Sequence, residues 1–369
     1  MIKTELCNLL GIKYPIIQAG MGPFGTNKLC IAAANAGVLG LISSSGIATK
    51  DTQPGIYNYF VETGGASLED DSKTALKKIF RQTLEATRAK KGIFGVNVMV
   101  SAELKDWAEL IINTMMEVRK EDGEMRDRFR VLVTSAGDPL PWTEKVKKTD
   151  LKWMHVIPSV KGALRCQKAG VDAVVASGHE GGFHTSWEPV HSMILLPAVV
   201  DALAGSKTLV VGAGGFCDGK TLVAALALGA SGAQMGTRFL ATRESDFHPM
   251  WKDGVVKAGD RGTLVARGFV GPARWLKTPV SQKHQENTLK MSPGVFLGRP
   301  DDYSTVPQEL IQSEIAAMNA VYAGDESKAL LAGGECAQRI NDLPTVEDLV
   351  RRIAKEAEEI LAKLAGRLA

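Results

Sequence analysis

Several features that would mark a specialised protein are missing from this chain of 369 residues. The net charge is only +3, and no basic stripe is interleaved with aromatic residues, which argues against a nucleic-acid partner. No segment reaches about 18 consecutive apolar residues, so we expect no membrane span. The first residues lack the apolar core of a signal peptide. We therefore expect a cytoplasmic protein that acts on small molecules, with an oligomeric state open between monomer and homodimer.

The cysteines also lack an informative pattern, because none of the five is in a CxxC spacing. This predicts neither a zinc site nor a disulfide framework, and we expect reduced thiols. Cys217 lies beside a glycine-rich turn. It could be a nucleophile, but a small residue that fills space at a helix start is the favoured interpretation.

What the sequence does contain is a regular alternation of strand-like and helix-like segments over its first 240 residues. Apolar, non-alternating runs predict eight strands, at 14–20, 39–45, 93–100, 131–136, 153–158, 172–177, 208–211 and 233–236. Helical patterns predict helices between them, at 28–37, 72–90, 103–120, 141–148, 160–169 and 191–203. Strands that are apolar on both faces are typical of a parallel sheet covered on both sides. The count of eight predicts an α/β fold, the (β/α)8 TIM barrel.

The eighth helix does not follow its strand directly. Residues 241–335 are rich in Gly and Pro and predict a smaller, mostly helical insertion over the barrel mouth, which is the face formed by the carboxyl ends of the strands. The amphipathic segment Thr345–Leu368 would then supply the eighth helix. We therefore predict a barrel domain of residues 1–240 plus 336–369 and an insertion domain of residues 241–335. The long loop Gly46–Asp71 at the same face is either a lid or a mobile surface excursion.

The most informative segment is TLVVGAGGFCDGKTLVAALALGASGAQMGTRF, residues 208–239. Glycines at the end of a strand allow backbone N–H groups to approach an anion closely. Two successive βα units of this kind indicate a phosphate held between the last two strands of a barrel. A dinucleotide fingerprint is disfavoured, because Cys217 occupies the third glycine position and no acidic residue follows at the expected distance. A purely structural turn is the other alternative.

The predicted strand ends are rich in glycine, amides and hydroxyls and poor in charge, which suits a flat cofactor carrying a phosphate. Asn97 and Gln234 could hydrogen-bond its ring edge or its ribityl chain. The exception is GHEGGFHTSWEPVH, residues 178–191. Its His-Glu-x-x-x-His spacing and its glycines do not fit a helical zinc motif, so we expect no metal. His184 is either a general base on a glycine loop or a structural histidine.

These motifs resemble the nitronate monooxygenase (2-nitropropane dioxygenase) family, to which the flavin-dependent enoyl-acyl-carrier-protein reductases are related. LGIKYPIIQAGMG, FGVN, GHEGGFH, the 208–239 segment and AGGECAQRI occur in the family's order between Leu10 and about Ile340. The resemblance implies an FMN-binding barrel in which His184 is the catalytic histidine. It also implies that FMN contacts the following residues: Gln18, Ala19, Gly20, Met21, Asn97, Ser177, Gly182, Gly214, Gly215, Gln234, Met235, Gly236 and Thr237.

The chain departs from the family pattern around the histidine. Ser177 replaces a glutamine, Phe183 replaces a glycine, and Ser186 replaces another glycine. A phenylalanine beside His184 would reshape the pocket over the flavin. The resemblance thus implies oxidation of alkyl nitronates or nitroalkanes with O2. The alternative is an NAD(P)H-dependent reductase of an activated alkene such as an enoyl thioester. A flavin-binding protein without turnover and a flavin-free isomerase are further alternatives.

Overall fold

Eight parallel strands form the central sheet in the computed structural model, which describes residues 2–22, 25–300 and 306–367. They are β1 (Ile16–Gln18), β2 (Gly40–Ser43), β3 (Phe94–Met99), β4 (Phe129–Ser135), β5 (Lys152–Ile157), β6 (Ala173–Ser177), β8 (Leu209–Ala213) and β9 (Ala233–Met235). A short strand, β7 (Phe183–His184), lies outside this sheet. The order is β1-β9-β8-β6-β5-β4-β3-β2, and a bridge between Ile17 and Leu39 joins its two edges. The predicted (β/α)8 barrel is confirmed.

Each strand is apolar on both faces because each face packs against a different core. In β4, Val131 and Val133 point into the barrel interior, while Phe129 and Leu132 join the layer between strands and helices. Residues Leu6 and Leu10 of the first helix pack with the interior set. A fully buried aliphatic side chain contributes roughly 1.5–3 kcal/mol, so these two cores are the main stabilising term.

All six helices predicted between the strands have counterparts, and helices at 5–10, 54–63, 123–128 and 237–240 are additional. Together with two further helices they surround the barrel. They are α1 (Glu5–Leu10), α2 (Asn27–Asn35), α3 (Pro54–Thr63), α4 (Ser72–Thr87), α5 (Lys105–Glu121), α6 (Gly123–Arg128), α7 (Thr143–Lys147), α8 (Val160–Ala169), α9 (Ser192–Ala202), α10 (Gly219–Ala227), α11 (Thr237–Leu240) and α16 (Val346–Ala365). Helix α16 packs against α10 and α2, so it occupies the place of the eighth barrel helix. Leu368, where that helix was predicted to end, lies outside the described residues. No helix of the described residues is long and apolar enough to cross a bilayer.

The segment predicted as a mostly helical insertion also contains a β-hairpin. Its helices are α12 (Pro249–Lys257), α13 (Pro279–Met291), α14 (Gly294–Leu297) and α15 (Gln308–Tyr322). Strands β10 (Thr263–Gly268) and β11 (Gly271–Leu276) pair around a two-residue turn, and β7 adds to β11 as a third antiparallel strand. The apolar cluster between these elements includes Cys217 and Cys336 from the flanking barrel segments. The division of the chain into two domains stays a prediction.

The segment Gly46–Asp71 is more regular than the loop that the sequence indicated. It forms a 3-10 turn (Ser45–Thr49) and α3, and the side chains of Tyr57 and Phe60 are buried in the barrel core. Tyr59 packs edge-on against Tyr322 of α15, with ring centroids 5.2 Å apart. Its hydroxyl also donates to the Asp246 carbonyl. These contacts argue against a mobile surface excursion.

Candidate functional site

The turns that follow β6 and β8 touch each other through glycine backbone. Gly214 and Gly215 both have φ near +85°, a region that disfavours any residue with a Cβ. A Cβ on Gly214 would lie 2.6 Å from the Gly178 carbonyl oxygen. Only glycine allows this approach of two strand ends.

A third backbone segment closes on the same place. A Cβ on Gly182 would lie 2.6 Å from the Gly334 nitrogen, so the loop after β6 packs directly on residues 333–334. The Gly334 N–H donates to the Thr237 hydroxyl over 2.9 Å, and the Glu335 N–H donates to the Glu180 carbonyl over 2.9 Å. The ends of β6 and β9 are therefore joined through the 333–335 segment.

Gly236 differs from these packed glycines. A Cβ there would meet only side chains, with the Met21 sulfur at 3.3 Å and the Ala19 Cβ at 3.7 Å. Strands β8 and β9 are adjacent, with Ala213 opposite Gln234, so Gly236 follows the strand next to the Gly214–Gly215 turn. We call Gly214, Gly215 and Gly236 the glycine cradle. Gly215 and Gly236 have no backbone atom among the nearest neighbours of their Cβ positions, and Thr237 follows Gly236 directly, which fits the phosphate of a cofactor.

The other predicted contact residues occupy two environments. Gln18 is fully buried, and its side-chain oxygen accepts from the Leu41 N–H over 2.9 Å while its amide donates to the Ala19 carbonyl. Its side chain thus joins β1 to β2 instead of lying open at the barrel mouth. Asn97 is half-buried, and its amide nitrogen lies 3.4 Å from Ser135 Oγ. A Cβ on Gly20 would lie only 2.6 Å from the Asn97 Cβ, so the two residues are in close contact.

The remaining predicted contact residues also divide into buried and half-buried side chains. Ala19 and Met235 are buried, whereas Met21, Ser177 and Gln234 are half-buried.

His184 lies on β7 opposite Ala273, and part of the residue is accessible to solvent at the barrel mouth although its ring packs against protein. A Cβ on Gly268 would lie 3.0 Å from its Cε1 atom, so the imidazole packs against the backbone of the hairpin. Desolvation by the surrounding protein, with a contribution from the positive charge of Arg267, lowers the pKa of His184 to about 4. A hydrogen bond to the Pro272 backbone opposes this shift. The ring is therefore neutral at pH 7 and can accept a proton.

Three other titratable residues of the 178–191 segment have structural partners. The Glu180 carboxylate accepts from the Ser192 N–H over 3.0 Å and from the Ser192 hydroxyl over 2.6 Å, at the start of α9. The His179 and His191 rings pack edge-on with centroids 5.4 Å apart. Burial lowers the pKa of His179 to about 4. Across the described ranges, no group of three or more His, Cys, Asp or Glu side chains is arranged to hold a metal.

Two arginines of the hairpin hold this region together, and the sequence did not indicate them. Arg274 is buried, donates to the His179 carbonyl over 2.9 Å and forms an ion pair with Glu335 over 3.0 Å. It thereby ties the loop after β6 to the 333–335 segment. The sequence signal that could have revealed these arginines is the pair of strand-like runs TLVARG and GPARWL, which are separated by a short turn and predict a hairpin.

Arg267 is buried behind His184 and holds the hairpin turn. Its guanidinium donates to the carbonyls of Gly268 and Phe269 over 3.2 Å each. Its own carbonyl accepts from the Trp275 indole over 3.1 Å and lies 2.8 Å from His284 Nε2. The carboxylate of Glu314 from α15 lies 3.5 Å from Arg267 Nε and is fully buried.

The fold is a (β/α)8 barrel whose glycine-rich strand ends pack against a second, three-stranded sheet. The chain belongs to the nitronate monooxygenase family, an oxidoreductase family whose model matches residues 3–356.

Individual relatives carry three different names. A protein of Mycobacterium tuberculosis named (3aS,4S,5R,7aS)-5-hydroxy-7a-methyl-1-oxo-octahydro-1H-indene-4-carboxyl-CoA dehydrogenase is 30% identical, over 96% of each chain. A Staphylococcus aureus protein named probable nitronate monooxygenase is 28% identical, over 73% of this chain and 76% of its own length. The structure of FabK from Thermotoga maritima superimposes with a TM-score of 0.76 at 29% identity, over the full length of both chains.

Proposed function

We propose that this protein is an FMN-dependent oxidoreductase whose cofactor phosphate binds at the glycine cradle. The observation that carries the proposal is that Gly214–Gly215 and Gly236 follow two adjacent parallel strands at the same end of the barrel, with Thr237 next to Gly236 in the chain. Asn97, Gln234 and the Gly20–Met21 backbone would hold the ring and the ribityl chain. When bound, FMN supplies the two-electron redox chemistry that no side chain of the protein can perform.

His184 handles the proton in this proposal. The imidazole is neutral because desolvation and Arg267 disfavour its charged form. Since one ring nitrogen is engaged with the Pro272 backbone, the other can accept a proton from a carbon acid or return it. The hairpin behind the ring fixes its orientation.

The substrate class we favour is an acyl thioester, whose carbonyl acidifies the adjacent C–H bond. Two observations support it. The relative that is 30% identical over 96% of each chain is named as a dehydrogenase of a carboxyl-CoA compound. An aromatic side chain also lies beside His184, which suits a substrate with an apolar group next to the reacting carbon: the Phe183 ring centroid is 4.3 Å from that of His184, and Phe269 and Trp275 pack on Phe183. His184 would remove the proton next to the thioester carbonyl on oxidation and replace it on reduction.

Nitronate oxidation is the second candidate, favoured by the family model and by the Staphylococcus relative. A nitronate has already lost its acidic proton. His184 would then orient the anion, or take the proton from a neutral nitroalkane.

Anaerobic stopped-flow spectroscopy of the FMN-loaded protein separates these candidates. The thioester proposal predicts that butyryl-CoA bleaches the flavin, or that crotonyl-CoA reoxidises flavin that NADPH has reduced. The nitronate candidate predicts bleaching by ethyl nitronate or propionate 3-nitronate. His184→Ala should retain FMN and lose the substrate-dependent step. A flavin that responds to none of these compounds would refute the proposed function.

A further inference from the structure

Phe183 adopts a backbone conformation that phenylalanine disfavours. Its φ is +62°, in the left-handed region where a Cβ collides with the backbone. Glycine would adopt this conformation without strain. The residue lies immediately before His184, where the strain must be sustained by other contacts.

The contacts that sustain it come from the hairpin. Phe183 pairs with Arg274 in the register of β7 and β11. Its ring packs edge-on against Trp275, with centroids 5.5 Å apart, and against Phe269, with centroids 6.0 Å apart. Trp275 is fully buried and its indole donates to the Arg267 carbonyl, so this support is rigid.

The ring also reaches the candidate catalytic group. Phe183 is half-buried, and its centroid lies 4.3 Å from that of His184 at an interplanar angle of 55°. It therefore offers an apolar surface directly beside the imidazole. Because glycine would satisfy the backbone at position 183, the presence of phenylalanine there is explained by the contacts of its ring.

We propose that Phe183 is a specificity-determining residue, whose ring limits the width of the site beside His184 and contacts the apolar group attached to the reacting carbon. This inference rests on the proposed function. It identifies the substrate as one whose group beside the reacting carbon is apolar and narrow enough to lie against an aromatic ring.

The test compares a narrow and a wide substrate of whichever class the wild type accepts. The pairs are crotonyl-CoA with cyclohexene-1-carboxyl-CoA, and ethyl nitronate with the nitronate of nitrocyclohexane. Phe183→Gly and Phe183→Ala should each raise the ratio of kcat/KM for the wide over the narrow substrate at least tenfold. FMN affinity should change less than twofold. An unchanged ratio in active variants would overturn the proposal and leave the ring a purely structural role.

Strain is measured on the same variants. Both remove the ring, but only glycine relaxes the backbone, so Phe183→Gly should unfold at a higher urea concentration than Phe183→Ala. Lys91 is a matched control, because its φ is +52° and it lies before β3 at the opposite end of the barrel. Lys91→Gly should unfold at a higher urea concentration than Lys91→Ala and leave the ratio of kcat/KM for the wide over the narrow substrate unchanged. A wild type that accepts neither class would refute the proposed function and this inference with it, an outcome distinct from an unchanged ratio.

Discussion

The contact between Gly182 and the 333–334 segment gives a sharp prediction. A Cβ at position 182 would lie 2.6 Å from the Gly334 nitrogen and 2.8 Å from the Gly333 carbonyl carbon, and both neighbours are backbone atoms. Gly182→Ala must therefore push the segment away. Overpacking of this kind costs typically 1–3 kcal/mol. The displacement would also strain the 2.9 Å hydrogen bond from Gly334 to Thr237, which adds about 1 kcal/mol.

We expect Gly182→Ala to lower the free energy of unfolding by about 2–4 kcal/mol in urea titrations. It should also release FMN on gel filtration, because Thr237 flanks the glycine cradle. The adjacent Gly181 is a matched control, since a Cβ there would lie 3.3 Å from the Gly178 oxygen and 3.6 Å from Ser177 Oγ. Gly181→Ala should cost less than about 1 kcal/mol. Equal stability and equal FMN retention in the two variants would refute this account of the loop.

Three further predictions concern the charged residues. Because the pKa of His184 is lowered to about 4, the acid limb of kcat/KM should lie well below pH 6.5; a limb at 6.5 would contradict a desolvated base. Burial raises the pKa of Glu314 to about 7, so the folded state binds an extra proton and stability should fall as the pH rises from about 4.5 to 7. The fall is at most about 3 kcal/mol, and urea titrations at pH 5 and 8 should show it in the wild type but not in Glu314→Gln. Arg274→Met should lower the free energy of unfolding in urea titrations by about 2–3 kcal/mol, because it leaves the His179 carbonyl unpaired. Arg274→Lys should lower it less. An unchanged free energy of unfolding in both variants would contradict the role of Arg274.

The barrel could be predicted because its signals are local. Helix α8 shows this best: its limits Val160–Ala169 agree with the sequence prediction, Ser159 caps its first turn, and Gly170 ends it in a left-handed conformation. Strand β1 is shorter than its apolar run, because only Ile16, Ile17 and Gln18 pair in register with the neighbouring strand β9.

The cover over the barrel mouth could not be predicted in the same way. The polar character of Arg267 and Arg274 hid the β-hairpin, because several groups that pair with these buried arginines are distant in the chain. Those partners are the 178–180 turn, Glu314 and Glu335.

Only part of the candidate site could be predicted from the sequence, for a related reason. Glycine positions marked the cradle, because close backbone approach needs glycine whatever the surroundings. The side chain of Gln18 could not be assigned from the sequence, since its burial between β1 and β2 depends on the closure of the barrel.

We propose that the glycine cradle binds the phosphate of FMN, and titration of the apoprotein with FMN measures this binding. Flavin fluorescence should show one FMN bound per chain. Gly236→Val should weaken binding at least tenfold while the apoprotein keeps its unfolding midpoint, because the three atoms nearest to the new Cβ belong to the side chains of Met21 and Ala19 and not to the backbone. Gly123→Val, at a glycine with no atom near its Cβ position, should bind FMN normally. Absence of FMN binding in the wild type, or equal affinity in Gly236→Val, would contradict the claim.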